Sequence, residues 1–574
     1  MRPWYLGNTT VRSPFRLRDG LIALANSMLG GNIKGREKEI EFARVLHNAG
    51  VVNIVRPDAD VSDLGRKWRA ALSQLGFIYP EIPAREKILQ SEVGVPFTIT
   101  PNGRRLIETI TVSGMQECFL RSLAAYYIPS PLERKYKYRI FSPLRHTLSV
   151  LLELEKRTGE SRLNFLEMGL FVQLTSTDIP VESLVDQILK YRAERDATTN
   201  KRKYDQAGLE SAAVEHKYVA GTFRDYADTN FRYLKATGLV QSKGRGIAIV
   251  PEKRIYIEKL VLDTQLPEND QVFLKNLCEG AALPTDNRDT ALIVLDDLVA
   301  QANRRGISYS RAGRIVRTPA DIEIIRHEVE DILSRLNEEE YATRQAQEWK
   351  EIATYMELLT NLRHRRASGD DVVITIPQAE APAYFEWVLW RAFLAIDSLV
   401  NRPYEARRFK IDQDYLPVGT APGGNSDLIF EFEDYVVVVE VTLTESSRQE
   451  GVEGEPVRRH VADEVARYSN LNKKPIYGLF IANKIDNNTA ETFRRGDWYN
   501  RENKLMRLDI IPLTLTQFKN LFEAMFVSGN IRVSDIQELL KTCSDSRSNL
   551  HALDWKADIE KNVQQKAACL RGSC

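Results

Sequence analysis

Asp427 and Glu440 occupy mirror-image places in a segment that reads as a β-hairpin. One arm runs Asp427-Leu-Ile-Phe-Glu-Phe432, the break is Glu433-Asp434, and the return arm is Tyr435-Val-Val-Val-Val-Glu440-Val-Thr442. β-Branched and aromatic residues fill both arms, and a polar pair separates them. With Glu433-Asp434 as the turn, Asp427 faces Glu440 with Cβ atoms roughly 4.5–5.5 Å apart. Facing carboxylates repel, so the pair needs a cation or a shared proton. A divalent metal held by oxygen ligands meets that need, and such centres run phosphoryl chemistry. The pattern is that of a nuclease site. Solvent-facing acids are common in strands, but the four valines before Glu440 suggest a sheet buried on both faces, where a charge requires a partner.

Further candidates lie on either side. Glu386 sits in an aromatic-rich amphipathic helix read over residues 384–396, with a plain surface position as the alternative. Glu453 follows Glu440 by thirteen residues, in a loop that holds four glutamates between 445 and 455. His460 comes seven residues later, where a structural role is the alternative. Pro422-Gly-Gly-Asn425 stands at the open end of the hairpin, and its glycines would let a phosphate backbone approach closely.

The elements that must position these groups are legible in outline. The chain has 574 residues, too many for one core. Residues 1–275 alternate short helices and strands. A helix over 64–75, a strand at 97–100 and a helix from Pro101 resemble a winged-helix unit. Ser142-Pro143 and Ser161 are expected to cap the next two helices. A helix carrying Arg224, Arg232 and Lys235 leads to a hairpin with the tip Lys243-Gly-Arg245-Gly, suited to phosphate contact. Arg12, Arg104 and Arg105 complete the candidate DNA-binding set. Residues 276–371 read as a helical linker. It opens at Thr318-Pro319 with an apolar stripe Ile322, Ile325, Val329, Ile332, Leu336, and a second stripe Trp349, Ile352, Met356, Leu359 follows. Residues 363–371 are a polar exit. From 372 to 574 helices and strands intermix, as in a mixed sheet flanked by helices. The whole is a multidomain α+β/α/β chain.

Composition narrows the class. Lys plus Arg and Asp plus Glu balance at 79 each, so the chain as a whole is not a basic nucleic-acid binder. Between Arg192 and Arg254, however, 13 Lys or Arg stand against 8 Asp or Glu. The 43% hydrophobic and 28% charged content is that of a globular protein, with no apolar run long enough for a membrane span and no signal core. The five scattered cysteines read as reduced thiols of a cytoplasmic protein.

Several stretches carry a family resemblance: Tyr384-Phe-Glu-Trp387, Gly424-Asn-Ser-Asp427, Glu440-Val-Thr442 and Glu453-Gly-Glu-Pro-Val-Arg-Arg-His460, with Trp4, Arg12-Ser-Pro14 and 230–239 in the N-terminal half. Together they resemble AlwI-type restriction endonucleases and the related site-specific nicking endonucleases. The resemblance implies a PD-(D/E)xK-type nuclease fold and Mg2+-dependent hydrolysis by one or two ions. It implies cleavage a few bases outside a short asymmetric duplex site of the GGATC or GAGTC kind. It also makes Asp427, Glu440, Glu386 and Glu453 the acidic set, with Asp427, Glu440 and Glu386 as metal ligands. Ser426 stands where that pattern often has proline, and Thr442 where it has lysine. Without that ammonium, metal-bound water assisted by Glu453 or His460 is the expected device.

The expected activity is that of a type IIS enzyme acting on double-stranded DNA, within a restriction-modification system that includes a cognate methyltransferase. One centre cuts one strand, so the second cut needs a transient homodimer, a small nuclease subunit or reorientation. The alternatives are a strand-specific nicking endonuclease or the large subunit of a heterodimer. Of other classes there remain a non-catalytic winged-helix DNA-binding regulator and a metal-dependent phosphohydrolase of small molecules.

Overall fold

In the computed structural model the described residues are all except 1, 55, 57–58, 84–87, 264, 362–365, 369–372, 397, 470–473, 501, 530 and 573–574. The chain divides into two compact units, Met1–Asp331 and Ile332–Cys574. The division falls within one long helix, Pro319–Thr343. No described helix is long and apolar enough to cross a membrane.

In the N-terminal unit the helix expected from Leu64 forms over Ser62–Gln74. The strand expected at 97–100 shrinks to a single bridge, Ile78 to Ile99. Phe97 sits at φ 62°, which an extended strand cannot hold, and Thr100 is spent as the cap of helix Pro101–Glu108, its side chain accepting from the Gly103 amide. Ser142 caps helix Pro143–Thr158 as expected. Ser161 does not cap the next one. That helix, Phe165–Leu170, is capped by Asn164 in a reciprocal box with Glu167. Ser161 Oγ instead accepts from the Ile249 amide at 3.1 Å.

The bond from Ser161 ties down a small antiparallel sheet in the order β1-β3-β2, of β1 (Leu163–Asn164), β2 (Val240–Ser242) and β3 (Gly246–Ile249). The helix Ala220–Lys235 leads into the β2–β3 hairpin, whose tip turns at Gly244, φ 58°. The stripe of the long helix also differs from expectation. Ile322, Ile325, Val329 and Leu333 are buried, whereas Ile332 and Leu336 are half-buried. A step of four from Val329 follows the 3.6-residue turn better than a step of three.

The C-terminal unit is built on a mixed sheet. A two-stranded ribbon, β4 (Arg366–Ser368) and β5 (Val373–Thr375), precedes it, and the polar exit expected at 363–371 otherwise lies outside the described residues. The main sheet contains β6 (Leu428–Glu431), β7 (Val436–Thr442) and β8 (Ile476–Ala482). After a hairpin of β9 (Asp497–Tyr499) and β10 (Leu505–Arg507) comes its last strand, β11 (Asp509–Thr514). The order is β11-β8-β7-β6, with β11, β8 and β7 parallel and β6 antiparallel. Val436 to Val439 are wholly buried in the centre of this sheet.

Helix Ala381–Ile396 is not amphipathic as expected: from Ala383 to Ile396 every side chain is buried. Its buried Arg391 is neutralised by Glu348 and Glu351 at 2.6 and 2.7 Å. Helix Trp349–Thr360 adds Ile352, Met356 and Leu359 to the same core. Arg407 bonds both oxygens of buried Glu338 at 2.6 and 2.7 Å, fixing the end of the long helix within this unit. Two C-terminal helices, Val533–Ser546 and Ala552–Leu570, bury Leu539, Trp555, Ile559 and Val563 in that core. Cys118, Cys278 and Cys543 are buried free thiols, but Cys569 is disulfide-bonded, against the expectation of five reduced cysteines.

Candidate active site

The turn at Glu433-Asp434 closes with the Phe432 amide donating to the Tyr435 carbonyl at 2.9 Å. Pairing then runs from Glu431 opposite Val436 to Leu428 opposite Val439. One further step of that register sets Asp427 against Glu440 at the open end. Asp427 Oδ2 accepts from the Val441 amide at 2.9 Å, which pins the carboxylate across the strand pair.

Glu386 reaches the same place from the buried helix, its Oε2 accepting from the Ala421 amide at 2.7 Å. It is 4% exposed, so the surface alternative fails. Glu453 arrives on a single π turn, Glu450–Gly454, that leads into helix Glu455–Ser469, and Thr442 hydrogen-bonds its carboxyl. π turns are rare and frequently mark functional sites. His460, on the same helix, shares a 2.7 Å hydrogen bond between Nδ1 and Glu440 Oε1. Its other nitrogen, Nε2, is buried without a partner, as is Ser426 Oγ beside Asp427. A cavity of about 480 Å³ opens over Glu386 and Asp427, lined also by Ala421, Val441, Thr442 and Thr444. Space around Gly423 and Gly424, in the segment between Ala421 and Asp427, is open.

Electrostatically the cluster is short of positive charge. Burial, then the neighbouring Asp427 charge, pushes the Glu386 carboxyl up to about 9. Burial pushes Asp427 up to about 7, with Glu453 adding to it and the Val441 amide opposing. Burial and then Asp427, Glu453 and Glu386 hold Glu440 well above the usual carboxylate range. Burial also raises Glu453, against the Thr442 hydroxyl. His460 is lowered by burial and then by Arg459. An all-oxygen set of this kind, with a histidine behind one carboxylate, suits a hard divalent cation such as Mg2+. The spacing is open rather than closed. Among the described residues, the three groups whose ligand atoms all lie within 4.8 Å of one another are Glu117, Glu323 and His327 of the N-terminal unit, not members of this cluster.

The eight basic candidates fare differently. Arg104, Arg105, Arg224 and Arg245 are exposed on the N-terminal unit. Arg12, paired with Asp228 at 3.4 Å, and Lys243, with Glu160 at 3.6 Å, are also largely exposed. Lys235 donates to Ser242 Oγ at 3.0 Å, bracing helix to hairpin. Arg232 is a correction. Its guanidinium turns inward to the Val11 carbonyl, to Asp228 at 3.0 Å and to Thr229 at 3.1 Å, and burial lowers its proton affinity. A basic residue in the last turn of a helix is as well placed to brace a neighbouring segment as to meet DNA, and sequence alone does not separate the two.

Sequence reasoning missed the backbone amides of Ala421 and Val441 and the link from Thr442 to Glu453. Of these, only the hydroxyl in the lysine position left any trace in the sequence.

Comparison with known proteins supplies the context. No curated protein matches the chain. Among the solved structures similar to it are the following three. The small subunit (R.BspD6I2) of the heterodimeric restriction endonuclease R.BspD6I matches at 27% identity and TM-score 0.29, over 37% of this chain and 98% of that one. The BpuJ1 endonuclease binding domain, in complex with modified DNA, matches at 11% identity and TM-score 0.30, over 46% and 90%. Restriction endonuclease FokI matches at 12% identity and TM-score 0.26, over 94% and 99%. At these TM-scores the three likenesses carry no weight of their own. The sequence model described as AlwI restriction endonuclease, in contrast, matches residues 73–521, most of the chain and all of the acid cluster. The chain belongs to the AlwI restriction endonuclease family.

Proposed function

We propose that this protein is a Mg2+-dependent type IIS endonuclease. Residues 1–275 read a short asymmetric duplex site through winged-helix-like subdomains, 276–371 serve as the helical linker, and 372–574 form a PD-(D/E)xK-type nuclease domain. The observation that carries the reading is the electrostatic convergence of Asp427, Glu440, Glu386 and Glu453, each with its proton affinity raised, where Asp427 and Glu386 line one open cavity. Groups so destabilised as anions are poised to accept a cation. The exposed Lys243 and Arg245 at the β2–β3 tip, beside a helix, support DNA contact by the N-terminal unit.

Asp427 and Glu440, with Glu386, are the residues that would hold Mg2+. When bound, the ion activates water and neutralises charge developing on the phosphate oxygens. The chain's own groups do the rest. The Val441 and Ala421 amides fix the carboxylates of Asp427 and Glu386 in place. His460 orients Glu440 and, from Nδ1, donates to it once that carboxylate is ionised. Thr442 cannot supply the ammonium of a lysine, but it holds Glu453 beside the cavity, where that carboxylate takes the proton of the attacking water. The open glycines at 423 and 424 admit the DNA backbone.

The described residues hold one such hairpin cluster, so one chain hydrolyses one strand at a time. A second copy, a small nuclease subunit or reorientation makes the second cut, and nicking is the reading if none does. Supercoiled plasmid incubated with the full chain and Mg2+ tests both. Linear product with ends at a fixed offset from one short sequence is the expected result. Nicked circles cut in one strand alone would leave the nicking reading standing. No scission with any divalent ion would reject the enzyme.

A further inference from the structure

We propose that one face of the β9–β10 ribbon, carrying Asp497, Tyr499, Leu505 and Arg507, is the surface on which a second copy of this chain docks. The ribbon lies in the C-terminal unit, and the proposal rests on the nuclease reading in one respect: a second centre is what cuts the second strand. The register sets Tyr499 opposite Leu505 and Asp497 opposite Arg507. Alternation along each strand places all four on one face. All four are exposed, Tyr499 at 65% and Leu505 at 59%. Trp498 and Met506 turn the other way, half-buried against the hydrophobic core.

The ribbon is held firmly enough to present that face. At its base the Leu508 amide donates to the Gly496 carbonyl at 2.8 Å, and near its tip the Asn500 amide donates to the Lys504 carbonyl at 3.0 Å. Asn500 Oδ1 accepts from the amides of Glu502 and Lys504 at 3.0 and 2.9 Å. The Arg458 guanidinium lies 5.7 Å from the Trp498 ring centroid, and its Nε donates to the Gly454 carbonyl at 2.9 Å. A copy docked on the ribbon therefore stands on an element tied to the turn that carries Glu453.

The charges of the face name the occupant. Asp497 and Arg507 are cross-strand neighbours, yet neither side chain has an ion pair or hydrogen bond among the described residues. Arg547, which feels both charges, is itself bound to Asp509 at 2.7 Å. A two-fold axis along the strands, between two such faces, lays each strand over the opposite strand of the other copy. Asp497 then meets Arg507 of the second copy and Tyr499 meets its Leu505, each contact made twice. A two-fold across the strands would set charges on apolar side chains instead. DNA suits the face less well, because Asp497 opposes phosphate. Four side chains fall well short of the roughly 800 Å² per partner of a stable complex. The association is therefore weak, and is favoured when two chains meet on one DNA.

The test is a charge swap on the full chain, with D497R and R507D studied singly and as an equimolar mixture, each checked for its fold by circular dichroism. Sedimentation velocity at high micromolar concentration reads association, and supercoiled plasmid with Mg2+ reads cleavage. The wild type should show a dimer. Each single variant sets like charges against each other twice, so it should associate roughly tenfold or more weakly and yield nicked rather than linear plasmid. In the mixture every contact again joins opposite charges, and both association and linear product should return. A wild type that stays monomeric, single variants that associate as it does, or a mixture that recovers nothing would overturn the surface. R507D losing and D497R gaining duplex affinity, without recovery on mixing, would give the face to DNA and likewise overturn it. Association restored by mixing, with no scission by any form, would keep the surface and reject the nuclease reading instead.

Discussion

Two glutamates shielded from water, one in each unit, take opposite courses. Glu330 in the N-terminal unit lies between Lys253 and Arg326, and although burial opposes it, these cations pull its carboxyl down to about 2. Glu386 in the C-terminal unit is placed deeper, but its neighbours are Asp427 and a backbone amide, and its carboxyl rises to about 9. Burial is common to both; the partner decides the sign. The N-terminal unit spends its buried charges on ion pairs, as again at Glu167 with Arg192 at 2.7 Å. The C-terminal unit does the same at Glu338 and Arg407. At the end of its hairpin alone it gathers four acids with no side-chain cation bonded to them in the described structure, the arrangement a metal-dependent nuclease requires.

The contrast can be broken most forcefully at the hairpin. Asp427→Ala or Glu440→Ala should lower Mg2+-dependent scission by on the order of 10³-fold or more, with duplex binding retained, as measured by plasmid cleavage beside a gel-shift assay. At the paired site the opposite holds. Lys253→Met should cost about 3 kcal/mol of stability in a denaturant melt by leaving Glu330 to the more distant Arg326, at 3.5 Å, while cleavage per folded molecule stays unchanged. His460→Ala should reduce turnover or Mg2+ affinity by roughly 10–100-fold, because Glu440 loses the ring that orients it. A metal titration of initial rates separates those two effects.

The mildest prediction concerns pH. The folded-state proton affinities of Asp427 and Glu386 are raised, so between about pH 4 and their folded values the native state binds more protons than the unfolded chain. Their contribution to stability is therefore present at low pH and lost as pH rises through about 7 and about 9. Asp427→Asn should raise the melting temperature of metal-free protein at pH 8 by a few degrees, and the gain should vanish near pH 4. A larger gain at low pH than at high pH would contradict the assignment of cause.

Much of the hairpin was readable because β-branched residues and a polar turn fix a register, and a register fixes which side chains face each other. The burial of Glu386 was not. Its helix carries apolar residues all round, a pattern that marks a central helix rather than a surface one. Local capping misled at Ser161, where Asn164 and Glu167 offered the stronger reciprocal box three residues on. The amides of Ala421 and Val441 belong to the backbone and leave no trace in residue type. Glu117 and His327 lie far apart in sequence, and only packing brings them together.

The central claim is that the hairpin acids gather to hold a divalent cation, and isothermal titration of Mg2+ or Mn2+ in the presence of cognate or bulk duplex DNA addresses it directly. The account predicts saturable binding by the wild type, accompanied by release of protons between pH 7 and 8 as Asp427 and Glu386 ionise, and loss of both signals in Asp427→Asn/Glu440→Gln. Equal metal uptake and equal proton release by that double variant would contradict it.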